Sequence, residues 1–116
     1  MLDPPLRTIV ETLEFQRRTR SLLTTDRLSA LVDYVAANPN AGELMVGTGG
    51  ARKLRWAVKG RGKSGGIRVI TFTGGAGLPV FLLTAFGKGE KVNLTKAERN
   101  KLCKMLRGLV KEYRKE

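Results

Sequence analysis

The chain has no histidine, a single cysteine, and only 10 acidic residues against 22 basic ones in 116 positions. Without histidine, serine–histidine and cysteine–histidine catalysis are excluded, together with histidine-ligated zinc and imidazole acid–base pairs. Cys103 alone cannot close an internal disulfide or build a thiolate cage, which suits a reducing compartment. No apolar run approaches the roughly 18 residues of a membrane helix and no cleavable leader is read, so no membrane partner and a cytoplasmic location are expected. Carboxylates are few and scattered, with none between Leu44 and Lys88, so neither a two-metal site nor a cofactor is expected. What is present is a hydrophobic fraction of 41%, enough for one modest core, in a length that fits one domain spanning residues 1–116.

The formal charge of +12 is unevenly spread. Residues 1–50 carry 5 basic and 6 acidic side chains, whereas residues 51–116 carry 17 basic and 4 acidic ones. The densest run, ARKLRWAVKGRGKSGGIR at residues 51–68, holds Arg52, Lys53, Arg55, Lys59, Arg61, Lys63 and Arg68 with no acid. A run of cations is ordinarily a solvated face. One-sign charge beside glycines and interleaved with Trp56 fits a phosphate-rich partner better.

Apolar periodicity sets the elements. Residues 6–11 carry a weak strand signal. In residues 12–23, Phe15, Thr19, Leu22 and Leu23 recur at helical spacing, and Thr24-Thr25-Asp26 then offers a cap for a second helix ended by Asn38-Pro39. Thirteen of the 14 glycines lie between Gly42 and Gly89, separating β-like runs at residues 43–46, 52–58, 67–73 and 79–86. Thr95-Lys96-Ala97-Glu98 is a capping-box pattern opening a last helix with a Leu102, Met105, Leu106, Leu109, Val110 and Tyr113 stripe. The expectation is an α+β fold with helices on one face of an antiparallel meander.

Strand parity then gathers the cations. If residues 52–58 and 67–73 pair as a hairpin, one parity buries Arg68 beside Leu54 and Trp56, stranding a charge at a cost of roughly several kcal/mol. The other places Arg68 with Lys53, Arg55, Ile70 and Phe72. Burial selects the second, giving a cationic face with an apolar and aromatic floor suited to a phosphate backbone and a stacked base. Two glycine loops that invite a nucleotide reading fail on context. Gly62-Lys63-Ser64 has Ala57 where a P-loop needs its first glycine, and a strand, not a helix, follows it. Gly47-Thr48-Gly49-Gly50 also runs into a strand, so no helix N-terminus waits for a pyrophosphate.

The segments GTGGARKLRWAVKGRGKSGGIRVITF and PVFLLTAFGKGEKVNLTKAER resemble the RelE/HigB-type toxins of bacterial type II toxin–antitoxin modules. The nearest likeness is to the HigB-like branch of the RelE/ParE superfamily, with its G-T-G-G-x-R-K-[LI]-R, G-K-[SR]-G-G-x-R and L-L-T-x-[FY]-x-K segments, and it covers about residues 15–106. The resemblance implies two N-terminal helices and a C-terminal helix around a curved antiparallel sheet. It also implies a ribosome-dependent mRNA endoribonuclease that attacks a phosphate with the neighbouring ribose 2′-OH, on mRNA in the ribosomal A site. A cognate antitoxin, expected to be of helix-turn-helix type, would restrain it.

Carried over by motif, the catalytic residues are Lys53, Arg55, Arg68 and Lys88, and the RNA-binding residues are Arg52, Lys59, Arg61, Lys63, Phe72 and Lys91. Arg68 is assigned to phosphate stabilisation, Lys53 to the base, and Lys88 or Lys91 to the acid. The best-studied RelE branch has an arginine directly after the lysine that ends the last strand, and a base-stacking tyrosine further on. Here those places hold Gly89 and about Leu94 or Thr95, leaving Phe72 or Trp56 to stack. Two other functions are compatible with the same fold or face: a ParE-like toxin acting on DNA gyrase, and a non-catalytic basic RNA-binding domain.

Overall fold

Thr12 divides the first strand from the first helix. Its Oγ1 accepts the Phe15 N–H at 3.1 Å, and its hydroxyl proton reaches the Leu82 and Leu83 carbonyls at 3.0 and 2.9 Å. One side chain thus caps a helix and ties it to the sheet. In the computed structural model, which describes residues 6–57, 66–75, 77–87, 89 and 94–114, the order of elements is β1 (Ile9–Glu11), α1 (Leu13–Thr19), α2 (Thr25–Ala37), β2 (Glu43–Leu44), β3 (Ala51–Ala57), β4 (Gly66–Thr73), β5 (Val80–Gly87) and α3 (Lys96–Arg114). Thr24 caps α2 by accepting the Arg27 N–H, with Asp26 in the first turn favouring the helix dipole. The capping box of α3 forms in both directions. The Thr95 N–H donates to Glu98 Oε1 at 2.9 Å, and the Glu98 N–H to Thr95 Oγ1 at 3.1 Å.

The five strands among the described residues lie in the order β1-β5-β4-β3-β2. The β2–β3, β3–β4 and β4–β5 pairs are antiparallel, as the meander predicts, but β1 runs parallel to β5, with Ile9 opposite Val80. A parallel neighbour cannot follow by a tight hairpin; here the chain reaches β5 only after both N-terminal helices and three strands.

The helices do not share one face. Phe15, Leu22, Leu31 and Val35 from the α1–α2 unit pack with Leu54, Ile67, Val69, Val80, Leu82 and Ala85. Leu106, flanked by Leu102, Leu109 and Val110 of α3, packs on the reverse face with Ala51, Ile70, Phe72, Phe81, Leu83 and Phe86. The expectation of a one-sided arrangement is therefore corrected. The physical reason is that β4 is apolar at both parities, Ile67 and Val69 on one side and Ile70 and Phe72 on the other. Strands of that kind need a cover on each face.

Candidate active site

The site begins with the β3–β4 register. Arg55 lies directly opposite Arg68, Lys53 opposite Ile70, and Ala51 opposite Phe72. This is the pairing that burial selects, and it sets Lys53, Arg55 and Arg68 on the α3 side of the sheet. Directly opposed residues have Cβ atoms about 5 Å apart, so two guanidinium groups leave the sheet side by side with an ammonium one pleat away. Arg68 is half-buried and makes one long 3.5 Å bond to the Ile67 carbonyl. Among the described residues neither Arg55 nor Arg68 has a carboxylate in ion-pairing range; Arg17 pairs with Glu14 at 3.8 Å, away from the site on α1. Both guanidinium groups keep most of their donors for an anion.

The backbone under Lys53 is shaped by close approach. Gly42 has φ of +96°, and a Cβ there would fall 2.8 Å from the Lys53 carbonyl oxygen, so a side chain is excluded by both conformation and contact. Beyond Gly42, Glu43 pairs with Lys53 and Leu44 with Arg52. Thr48, fully buried, then closes the β2–β3 connection. Its hydroxyl donates to the Met45 carbonyl at 2.7 Å and accepts the Ala51 N–H at 3.0 Å. On the far side of this connection, the first turn of α3 completes a hollow of about 220 Å3 with Lys53, Glu43 and Arg99 on its walls and Met45 and Leu94 beside them.

Two of the anticipated RNA contacts are placed elsewhere. Arg52 alternates to the α1–α2 side of the sheet, and its Nη1 donates to the Gly42 carbonyl at 3.1 Å, so it does not share the face of Lys53. Phe72 is only 3% exposed and stacks on Phe81 with ring centroids 6.3 Å apart. The apolar floor expected to receive a base is instead the seat of α3, because Ile70 and Phe72 face the Leu106 stripe. Trp56 lies on the helical side as parity requires, 5.3 Å from the Tyr34 ring. Lys59, Arg61, Lys63, Lys88 and Lys91 lie outside the described residues. Sequence reasoning missed Glu43 and Arg99 as neighbours of Lys53. The L-T-K-A-E-R segment that carries Arg99 was visible as a motif, but nothing local told which strand it would reach.

Fold and site together define a small basic α+β protein whose sheet gathers Lys53, Arg55 and Arg68 on one face. A family model described as the RelE toxin of the RelE/RelB toxin–antitoxin system matches residues 7–116, and the chain belongs to that family. Membership implies a cognate RelB antitoxin as partner. No helix among the described residues is long and apolar enough to cross a membrane.

Proposed function

We propose that this RelE-family toxin is a ribosome-dependent mRNA endoribonuclease of the HigB-like branch, acting in the cytoplasm without a metal or cofactor. The observation that carries the reading is the register that sets Arg55 opposite Arg68 with Lys53 on the same face. Like charges placed directly opposite on a sheet are unfavourable, and such an arrangement is retained where an anion neutralises it. The ParE-like alternative, acting on gyrase, has no use for this cluster. A partner antitoxin of helix-turn-helix type and translating ribosomes with mRNA in the A site complete the proposal.

The reaction needs three services and no histidine. The ribose 2′-oxygen attacks the adjacent phosphorus while Lys53, acting as the free amine, takes its proton and becomes an ammonium, forming the 2′-O–P bond. The P–O5′ bond breaks, and the departing 5′-oxygen takes a proton from Lys88 or Lys91, leaving a 2′,3′-cyclic phosphate and a 5′-hydroxyl. Between these events the negative charge on the non-bridging oxygens grows. The planar fork of Arg68 is suited to holding it, with Arg55 beside it. The ribosome supplies the positioning of the mRNA.

The test is induced expression followed by primer-extension mapping of transcripts in translating cells, with Lys53→Ala and Arg68→Ala as variants. Loss of one cation aimed at the developing charge is expected to lower cleavage by roughly 100-fold or more. Intact cleavage and toxicity in both variants would refute the site. RNA binding that weakens on Arg68→Ala in a protein that never cleaves would assign a non-catalytic RNA-binding module. Gyrase capture without mRNA cleavage would assign the ParE-like activity.

A further inference from the structure

The L-T-K-A-E-R segment opens α3, and Arg99 in its first turn is half-buried and lines a hollow with Lys53. Its Nε donates to the Leu94 carbonyl at 3.3 Å, while its Cδ would lie 3.6 Å from a Cβ at Gly47. The stem of the side chain is thus held between its own helix and the β2–β3 connection. Among the described residues its two terminal nitrogens have no hydrogen-bond or ion-pair partner. Arg99 lines the same hollow as Lys53, although the two are far apart in sequence. A guanidinium tethered through Nε, with both Nη groups unspent, is a preorganised fork for a phosphate.

We propose that Arg99 is an RNA-phosphate-binding residue, gripping a backbone phosphate next to the one held by Arg55 and Arg68, so that the strand passes over Lys53 between them. The inference rests on the endoribonuclease reading for its substrate, but its geometry is independent of which lysine acts as base. Two features of the hollow favour a nucleic-acid strand over an isolated anion. Met45 and Leu94 give it an apolar wall beside the cations, and the N-terminal turn of α3, the positive end of the helix dipole, forms its rim.

The experiment measures binding of the purified toxin to a 2′-O-methyl single-stranded RNA oligonucleotide, which lacks the attacking hydroxyl, across a salt series. Arg99→Ala is expected to weaken binding on the order of 10-fold at 0.1 M salt. It should also make the slope of log K against log salt shallower by about 0.7, the share of one phosphate on a single strand. Arg99→Lys should keep the wild-type slope, because the point charge remains. If Arg99→Ala does not fold by circular dichroism, Arg99→Gln is the neutral variant read in its place. A neutral variant with the wild-type slope overturns the proposal, and so does one that loses mRNA cleavage while the slope is unchanged, which would make Arg99 a packing residue. If the wild-type toxin cleaves no mRNA in a translating extract but the neutral variant still shows the shallower slope, the nuclease reading falls and the Arg99 contact stands.

Discussion

Neutralising Arg55 is expected to stabilise the protein while disabling it. Arg55 is exposed and sits across from half-buried Arg68. For two unit charges at a separation of about 7 Å, Coulomb repulsion is about 0.6 kcal/mol at the dielectric of water and about 2.4 kcal/mol at an effective value of 20. Exposure of Arg55 holds the sum near the lower end, within the range of about 0.2–1 kcal/mol typical of cross-strand pairs. Arg55→Gln keeps a polar stem of similar shape and removes the charge. A domain of 116 residues has an unfolding entropy near Tm of about 0.24 kcal/mol per kelvin. The variant should therefore melt about 1–4 °C higher in 0.1 M salt, where the screening length is about 10 Å. The difference should shrink in 1 M salt, where that length is about 3 Å. Thermal melts followed by circular dichroism, on toxin purified free of antitoxin, read both quantities. mRNA cleavage by the same variant should fall. A variant that melts lower than wild type, or a gain identical at both salt concentrations, would refute the view that charge is stored at this pair.

Two further substitutions test the supports of the site. Leu106 is the one residue of α3 that is fully buried among those described, at 1% exposure. Leu106→Ala should cost about 2–5 kcal/mol, measured by urea unfolding; a loss below about 1 kcal/mol would mean that α3 is not seated as described. Thr48→Val keeps the shape of a side chain with no exposure but removes the acceptor of the Ala51 N–H and the donor to the Met45 carbonyl. It should cost about 1–3 kcal/mol, whereas Thr48→Ser, which retains both bonds, should lose distinctly less in the same measurement.

What was legible in the sequence was whatever a local or pairwise cost decides. The β3–β4 register could be chosen because the wrong parity buries Arg68, and the observed pairing of Arg55 with Arg68 is the outcome. The α3 start could be placed because Thr95 and Glu98 satisfy each other's backbone donors. What was hidden required knowing what covers what. An amphipathic stripe such as Leu102-Leu106-Leu109 shows that a helix packs, not against which face, so Ile70 and Phe72 read as an open floor when they are the seat of α3. Arg52 is one residue from Lys53, and the same alternation that gathers Lys53 and Arg55 sends it to the opposite side, which its place in a run of cations obscures. The parallel β1–β5 pair and the approach of Arg99 to Lys53 both join distant parts of the chain, a relation that periodicity does not carry.

The α3 face of the sheet changes character along two strands, at levels one pleat apart. On β3 the change falls between Ala51 and Lys53, and on β4 between Ile70 and Arg68. Below it, Ala51, Ile70, Phe72 and Leu106 are buried together; above it, charge accumulates. The first turn of α3 stands at this boundary, where Leu94 lines both the small hollow beside Lys53 and a larger apolar groove bordered by Phe86 and Leu102. The repulsion between the cations, at most about 1 kcal/mol for a cross-strand pair, is small beside the burial of even one aromatic ring on the same strands. The fold can therefore hold the cations on paired backbone rather than on a loop. Positions set by a sheet register are more precise than positions set by loop geometry, and the phosphoryl chemistry proposed for this face depends on that precision.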